Sequence, residues 1–137
     1  MMRGTSDLPT LLATLAPAVS PDVYVFLSCT HAKYGDRADL EPIAAFCESE
    51  GLTLIVPKEH ADATGQDYDG EYSLISLGVH SHLQAVGLTA AIASVLSDRG
   101  IAANIVAAFY HDHIFVPLSR VDDAVAALLQ LAADNQA

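Results

Sequence analysis

Two histidine pairs carry the residues best suited to chemistry: His80-x-His82 and His111-Asp112-His113. Alternate residues share a face where the backbone is extended, so each His-x-His can aim two imidazoles at one point. Two such pairs supply four ligands to zinc or another divalent ion. A catalytic version keeps one position for water, with Asp112 or a nearby carboxylate as base. The segment His111–His113 reads as a turn, however, and histidines at strand ends also serve simply to hydrogen-bond loop carbonyls. Two readings therefore stand for His80, His82, His111 and His113: metal ligands, or structural and ligand-contacting side chains. Nucleophilic chemistry has less behind it. Ser28 and Cys29 end an apolar run with His31 just beyond, and a base that close in sequence seldom completes a triad. The chain has no Gly-x-Ser-x-Gly elbow, phosphate-cradling glycine loop or dinucleotide fingerprint. The expectation is a non-catalytic protein with no cofactor.

The elements that must position these residues follow from periodicity. Helical stripes run through Leu8, Leu11, Leu12 and Leu15, and through Leu40, Ile43, Ala44 and Cys47. Two more run through Leu88, Ala91, Ile92, Val95 and Leu96, and through Val121, Ala124, Val125, Leu128 and Leu129. Ser6 or Asp7 is placed to cap the first, and Asp39 the second, with Gly51 to stop it. Strand-like runs fall at 23–28, 52–56, 72–80, 104–110 and 114–118. Residues 105–110 and 114–116 are apolar on both faces, so the sheet face away from the helices needs a cover, from a second sheet or a second subunit. The stretch 59–71 holds five carboxylates and two glycines and reads as an exposed connector.

Composition sets outer limits. The chain has 137 residues, 52% hydrophobic and 17% charged, which suits a folded core and excludes a disordered chain. Six Lys and Arg against 17 Asp and Glu leave a net charge of −11. That balance argues against nucleic acid or an anionic membrane surface as partner. No apolar run reaches the roughly 18 residues of a membrane span, and the start shows no signal-peptide pattern. A cytoplasmic protein is expected, with Cys29 and Cys47 reduced and buried.

The order of elements repeats. Each half approximates βαββαβ with one strand missing from opposite ends, so a supersecondary unit is used twice. The expected division is an N-terminal half at 1–64 and a C-terminal domain at 65–137.

Residues 85–129 resemble an ACT domain of the kind found in the regulatory tails of aspartate kinases. The resemblance rests on Val86-Gly87 at the start of a helix, Gly100-Ile101 at its end, Asn104 near the next strand, and Asp122-Asp123 opening the last helix. Two residues separate Ile101 from Asn104, where the kinase-type pattern runs Gly-Ile-Asn directly. The segments Glu50-Gly51-Leu52-Thr53-Leu54, His80-Ser81, Ala85-Val86-Gly87-Leu88-Thr89-Ala90 and His111-Asp112-His113 are similar to a group of small bacterial tandem ACT proteins. The likeness spans nearly the whole chain, most strongly 71–129. It implies an α/β (α+β) fold of two ferredoxin-like βαββαβ ACT-type units, with antiparallel sheets and helices on one face. It also implies a small-molecule effector, an amino acid foremost, and association into a homodimer or higher homo-oligomer.

On that fold the loop after His80 and the hairpin at 111–113 lie at one end of the sheet, with His80 near His113. A helix start there offers unpaired amides to a ligand carboxylate. The expected ligand-binding residues are His80, Ser81, His82, Leu83, Val86, Gly87, Leu88, Asn104 and Asp112. Gly87 either admits a ligand or only permits close packing. A histidine-rim metal protein and a purely structural dimerisation module are the alternatives.

Overall fold

The structure is a computed structural model and describes residues 4–136. It divides into two compact units. A continuous unit spans Pro21–Tyr72, and a split unit joins the chain up to Ser20 with everything from Ser73 onward.

In the split unit, α1 (Leu8–Ala13) leads into β1 (Pro17–Cys29), of which Pro17–Ser20 belong here. Then come β4 (Tyr72–Leu77), α3 (Leu88–Asp98), β5 (Asn104–Ala107), β6 (Asp112–Pro117) and α4 (Val121–Asp134). The strand order is β1-β4-β6-β5. The start of β1 thus occupies the edge position beside β4, where a closing fourth strand of βαββαβ would lie. Ala16 leads into it, accepting from the Gly78 amide at 2.9 Å. Strands β5 and β6 form a hairpin with Ile105 opposite Ile114 and Ala107 opposite Asp112.

Helices α1, α3 and α4 pack together over one face. Leu11, Leu15, Ile75, Leu77, Ile92, Leu96, Ile114 and Leu128 are fully buried there. Local chemistry explains the helix ends. The Asp7 carboxylate accepts from the Thr10 amide at 3.1 Å, and Pro9 sits in the first turn of α1. At the end of α3, Gly100 has φ +68°. The Arg120 guanidinium donates to the carbonyls of Arg99 and Gly100, satisfying acceptors that the helix leaves open. On the opposite face Leu74 and Phe115 are 3% and 2% exposed, while Val106 is 37% exposed.

The continuous unit orders its strands β2-β3-β1, all antiparallel, with β2 at Ala44–Glu48 and β3 at Gly51–Pro57. Val25, Leu27, Leu52, Leu54 and Val56 form its core with Leu40 and Ala61. Here the sequence misleads. The helix expected through Leu40, Ile43, Ala44 and Cys47 does not form; a single 3₁₀ turn covers Ala38–Leu40, and β2 follows. Glu41 takes the left-handed φ +50° and ends the turn, and Pro42 after it has no backbone N–H with which to continue a helix. The residues that follow pair with β3 instead. Asp39 consequently caps nothing and binds Arg37 at 3.1 Å.

The expectation of buried cysteines is corrected too. Cys47 is exposed and Cys29 half-buried, and both are free. Each pairs with Leu52, from opposite sides, which holds them two strand spacings apart and beyond disulfide reach. The acidic connector is partly helical. It begins within α2 (Lys58–Ala63), which buries Ala61 and ties Lys58 to Asp62 at 2.8 Å.

Candidate functional site

Because β4 and β6 are neighbours, the chain leaving β4 meets the chain entering β6 at one end of the split unit. The Ser81 hydroxyl donates to Asp112 Oδ2 at 3.2 Å, and His111 Nδ1 donates to the Val79 carbonyl at 3.3 Å. The His80 ring lies 5.1 Å from Tyr110 and 6.3 Å from Phe109. The two histidine-bearing corners therefore adjoin, as the topology requires.

Their imidazoles do not converge. Along β6 successive side chains alternate faces. Asp112 and Ile114 point to the helix side, while His113 points away and lies 2.7 Å from the Ser76 hydroxyl rather than beside His80. His82 Nδ1 accepts from the Gln84 amide, and His80 faces the aromatic pair. Among the described residues no three His, Cys, Asp or Glu side chains come close enough to hold a metal. The four-histidine metal set is thus corrected: strand alternation and prior hydrogen bonds disperse it. Burial, then the nearby charge of His111, push the His113 imidazole below its ordinary value, which favours its neutral form.

What the corner does build is a recess of about 50 Å³ lined by Ser81, His82, Leu83, Ala85, Leu88, Thr89, Ala107 and Asp112. Asp112 is 5% exposed. Among the described residues the Ser81 hydroxyl is the one hydrogen-bond donor found for its carboxylate, which has room for several. On the other wall α3 begins at Gly87, which has φ +100° and supplies no capping side chain. The first intrahelical bond runs from the Ala91 amide to the Gly87 carbonyl, so the amides of Leu88, Thr89 and Ala90 lack helical partners. The recess thus sets an acceptor-rich carboxylate opposite open donors at the positive end of a helix dipole.

Of the expected ligand-binding residues, Ser81, His82, Leu83, Leu88 and Asp112 line this recess. Gly87 starts its helix and packs on Leu8: a Cβ there would stand 2.9 Å from Leu8 Cδ2. Val86 projects outward, 84% exposed. His80 turns to Tyr110, and Asn104 lies exposed at the opposite end of the β5–β6 hairpin, across from Phe115. Ala85, Thr89 and Ala107 line the recess without having been singled out, since small residues carry no chemical signal. Sequence reasoning also missed Gly4 and Thr5. The Thr5 amide donates to the His80 carbonyl at 3.0 Å, and its carbonyl accepts from the His82 amide at 2.9 Å.

The continuous unit has larger hollows of other character. One of about 280 Å³ is walled by Asp22, Lys58, Glu59 and Asp62, with Lys58 already paired to Asp62 and Glu71. Another, about 170 Å³, lies over Leu52 and Leu54 beside Tyr34 and Arg37.

Comparison with known proteins supplies the frame. Two family models, each described as an ACT domain, match residues 3–73 and 69–130. A Vibrio cholerae protein of unknown function, described as a possible transport protein, is 44% identical over 91% of this chain and 95% of its own, with TM-score 0.83. An Agrobacterium tumefaciens protein matches at 16% identity over 86% of this chain and 89% of its own, TM-score 0.71. The ligand-free regulatory subunit of aspartate kinase from Thermus thermophilus matches at 12% identity over 87% and 98%, TM-score 0.61. No curated protein sequence matches the chain. Among the described residues no helix is long and apolar enough to cross a membrane.

Proposed function

The chain belongs to the ACT-domain family, a family of ferredoxin-like regulatory ligand-binding units, and from that premise we propose that it is a non-catalytic effector-binding protein whose split unit takes a free α-amino acid. The observation that carries this reading is Asp112, a carboxylate 5% exposed that lines a recess and has, among the described residues, one neutral hydroxyl donor. Such a group is complementary to an ammonium. The open amides at the start of α3 suit the ligand's carboxylate. A zwitterion satisfies both walls and adds no net charge to a chain already at −11.

A recess of about 50 Å³ encloses the charged end of such a ligand and little else. Around its end of the sheet Leu83, Val86, Phe109 and Tyr110 are exposed apolar side chains, a composition that suits closure by another copy of the chain. The protein would then work in the cytoplasm as a homodimer or higher homo-oligomer. A ligand held between copies stabilises the paired state by about 2.7 kcal/mol at a hundredfold excess over Kd, enough to switch a weak association.

Thermal melts against the twenty amino acids test this. A selective rise with one or a few is expected, together with a ligand-dependent change in mass by light scattering. A flat panel refutes the effector reading, and a dimer mass indifferent to every amino acid assigns the chain to structural pairing.

A further inference from the structure

Residues 4–8 hold the ligand loop at both of its ends. Thr5 forms a parallel bridge with Ser81 through its amide to the His80 carbonyl and its carbonyl to the His82 amide. Gly4 makes that bridge possible. A Cβ at residue 4 would stand 2.4 Å from the Ser81 carbonyl carbon, 2.5 Å from the His80 oxygen and 2.7 Å from the His82 nitrogen. All three are backbone atoms, so no side chain can swing aside to make room. At the far end of the loop, Leu8 opens α1 and lies against Gly87. Asp7 caps α1 and fixes how the strap turns into the helix.

We propose that Gly4 and Thr5 are positioning residues for the ligand site: by clamping the backbone at 80–82 they hold the Ser81 hydroxyl on Asp112. Neither residue lines the recess. The proposal rests on the amino-acid reading of that recess for its functional consequence, and on geometry for the rest. The Ser81–Asp112 bond is 3.2 Å long, close to the limit for a hydroxyl donor. An alanine at residue 4 must open the 2.4 Å approach to at least 3.0 Å. A shift of that size in Ser81 carries its hydroxyl out of range. The strap is thus coupled to the acceptor that would receive the ligand's ammonium.

The test compares Gly4→Ala, Ser81→Ala and Thr5→Ala in the full chain. The first readout needs no ligand: the NMR chemical shift of the Asp112 side-chain carboxyl carbon, recorded at one pH, reports whether the Ser81 hydroxyl still donates to it. Gly4→Ala is expected to match Ser81→Ala. Thr5→Ala, whose backbone bonds survive, is expected to match wild type. The second readout is the melt shift with whichever amino acid stabilises the wild type, where Gly4→Ala should lose about tenfold in affinity. A wild-type chemical shift in Gly4→Ala, or an unchanged one in Ser81→Ala, overturns the proposal. A wild type that binds no amino acid overturns the effector reading instead, while the chemical shift still decides the strap. If Gly4→Ala does not fold, Thr5→Pro removes the amide donated to His80 and replaces it.

Discussion

Replacing Asp112 by asparagine separates a binding carboxylate from a structural one, because the two roles move stability in opposite directions. The carboxylate is 5% exposed and accepts from Ser81 at 3.2 Å. Asparagine is nearly isosteric, and its carbonyl oxygen still accepts that bond. The cost of keeping a charge out of water disappears. The ligand-free protein should therefore melt at the same temperature or slightly higher. Binding should suffer. A charge-assisted bond to an ammonium contributes about 1.5–3 kcal/mol, so affinity falls about 10- to 150-fold. Unfolding entropy near 2.1 cal/mol/K per residue makes 1 kcal/mol worth about 3.5 °C in a chain of this length. A cognate amino acid at a hundredfold excess over Kd then raises the wild-type midpoint by about 9 °C. At the same concentration a variant weakened about 30-fold keeps about 0.9 kcal/mol, or about 3 °C. Scanning calorimetry of both proteins, with and without the amino acid, gives the four midpoints. If Asp112→Asn lowers the ligand-free midpoint by several degrees and leaves the ligand-induced rise intact, Asp112 serves the fold and the assignment is wrong.

The remaining expectations concern the frame around the site. The His113 imidazole is depressed below its ordinary 6.5, by burial first and then by His111, so the unfolded chain binds the proton more readily. Its contribution is present above the unfolded value and is lost as pH falls toward the folded one; melts from pH 7.5 to 5 should decline less steeply in His113→Gln than in wild type. Arg120→Ala removes the donors to the Arg99 and Gly100 carbonyls and the partner of Asp123. It should lower the midpoint by about 3–4 °C, as expected for roughly 1 kcal/mol, without altering an amino-acid response normalised to the new baseline; an unchanged midpoint would mean that water replaces those donors at no cost.

Three of the four helical stripes were legible because several local signals agree. At α1, for instance, a cap at Asp7, a proline in the first turn and a leucine stripe point the same way. Leu40–Cys47 carries the same kinds of signal, a candidate cap at Asp39, Pro42 in the first turn and a stop at Gly51, and still forms a strand, in which Ala45 and Cys47 find partners in Leu54 and Leu52. Only the neighbouring strand reveals the choice, and that neighbour arises from tertiary packing. The meeting of the 80–82 and 111–113 corners was legible from strand order, whereas their chemistry was not. Alternation along an extended β6 sends Asp112 one way and His113 the other, a fact hidden while the segment was read as a turn. The Gly4–Thr5 bridge had no local signal at all, since a parallel pairing between distant residues leaves no periodic trace in either.

On the proposed reading, these differences also bear on which unit would bind a zwitterion. In the split unit the crossing between β4 and β5 is an 11-residue helix, and the open amides at its start face a buried carboxylate. The matching connection in the continuous unit, between β1 and β2, forms one 3₁₀ turn. It has no helix start of comparable dipole, and its arginine is spent on Asp39. The hollow left over Leu52 and Leu54 is walled largely by Pro42, Ala38, Ala45 and Tyr34. Apolar walls of that kind supply no acceptor for an ammonium. The crossing helix, and with it the paired donors and acceptor of the proposed site, is present in the split unit and not in the matching connection of the continuous unit, whose other hollow is walled by Asp22, Glu59 and Asp62 with Lys58 already paired to Asp62. On this argument a single amino acid per chain is the expected stoichiometry, and isothermal titration returning two equivalent sites per chain would contradict it.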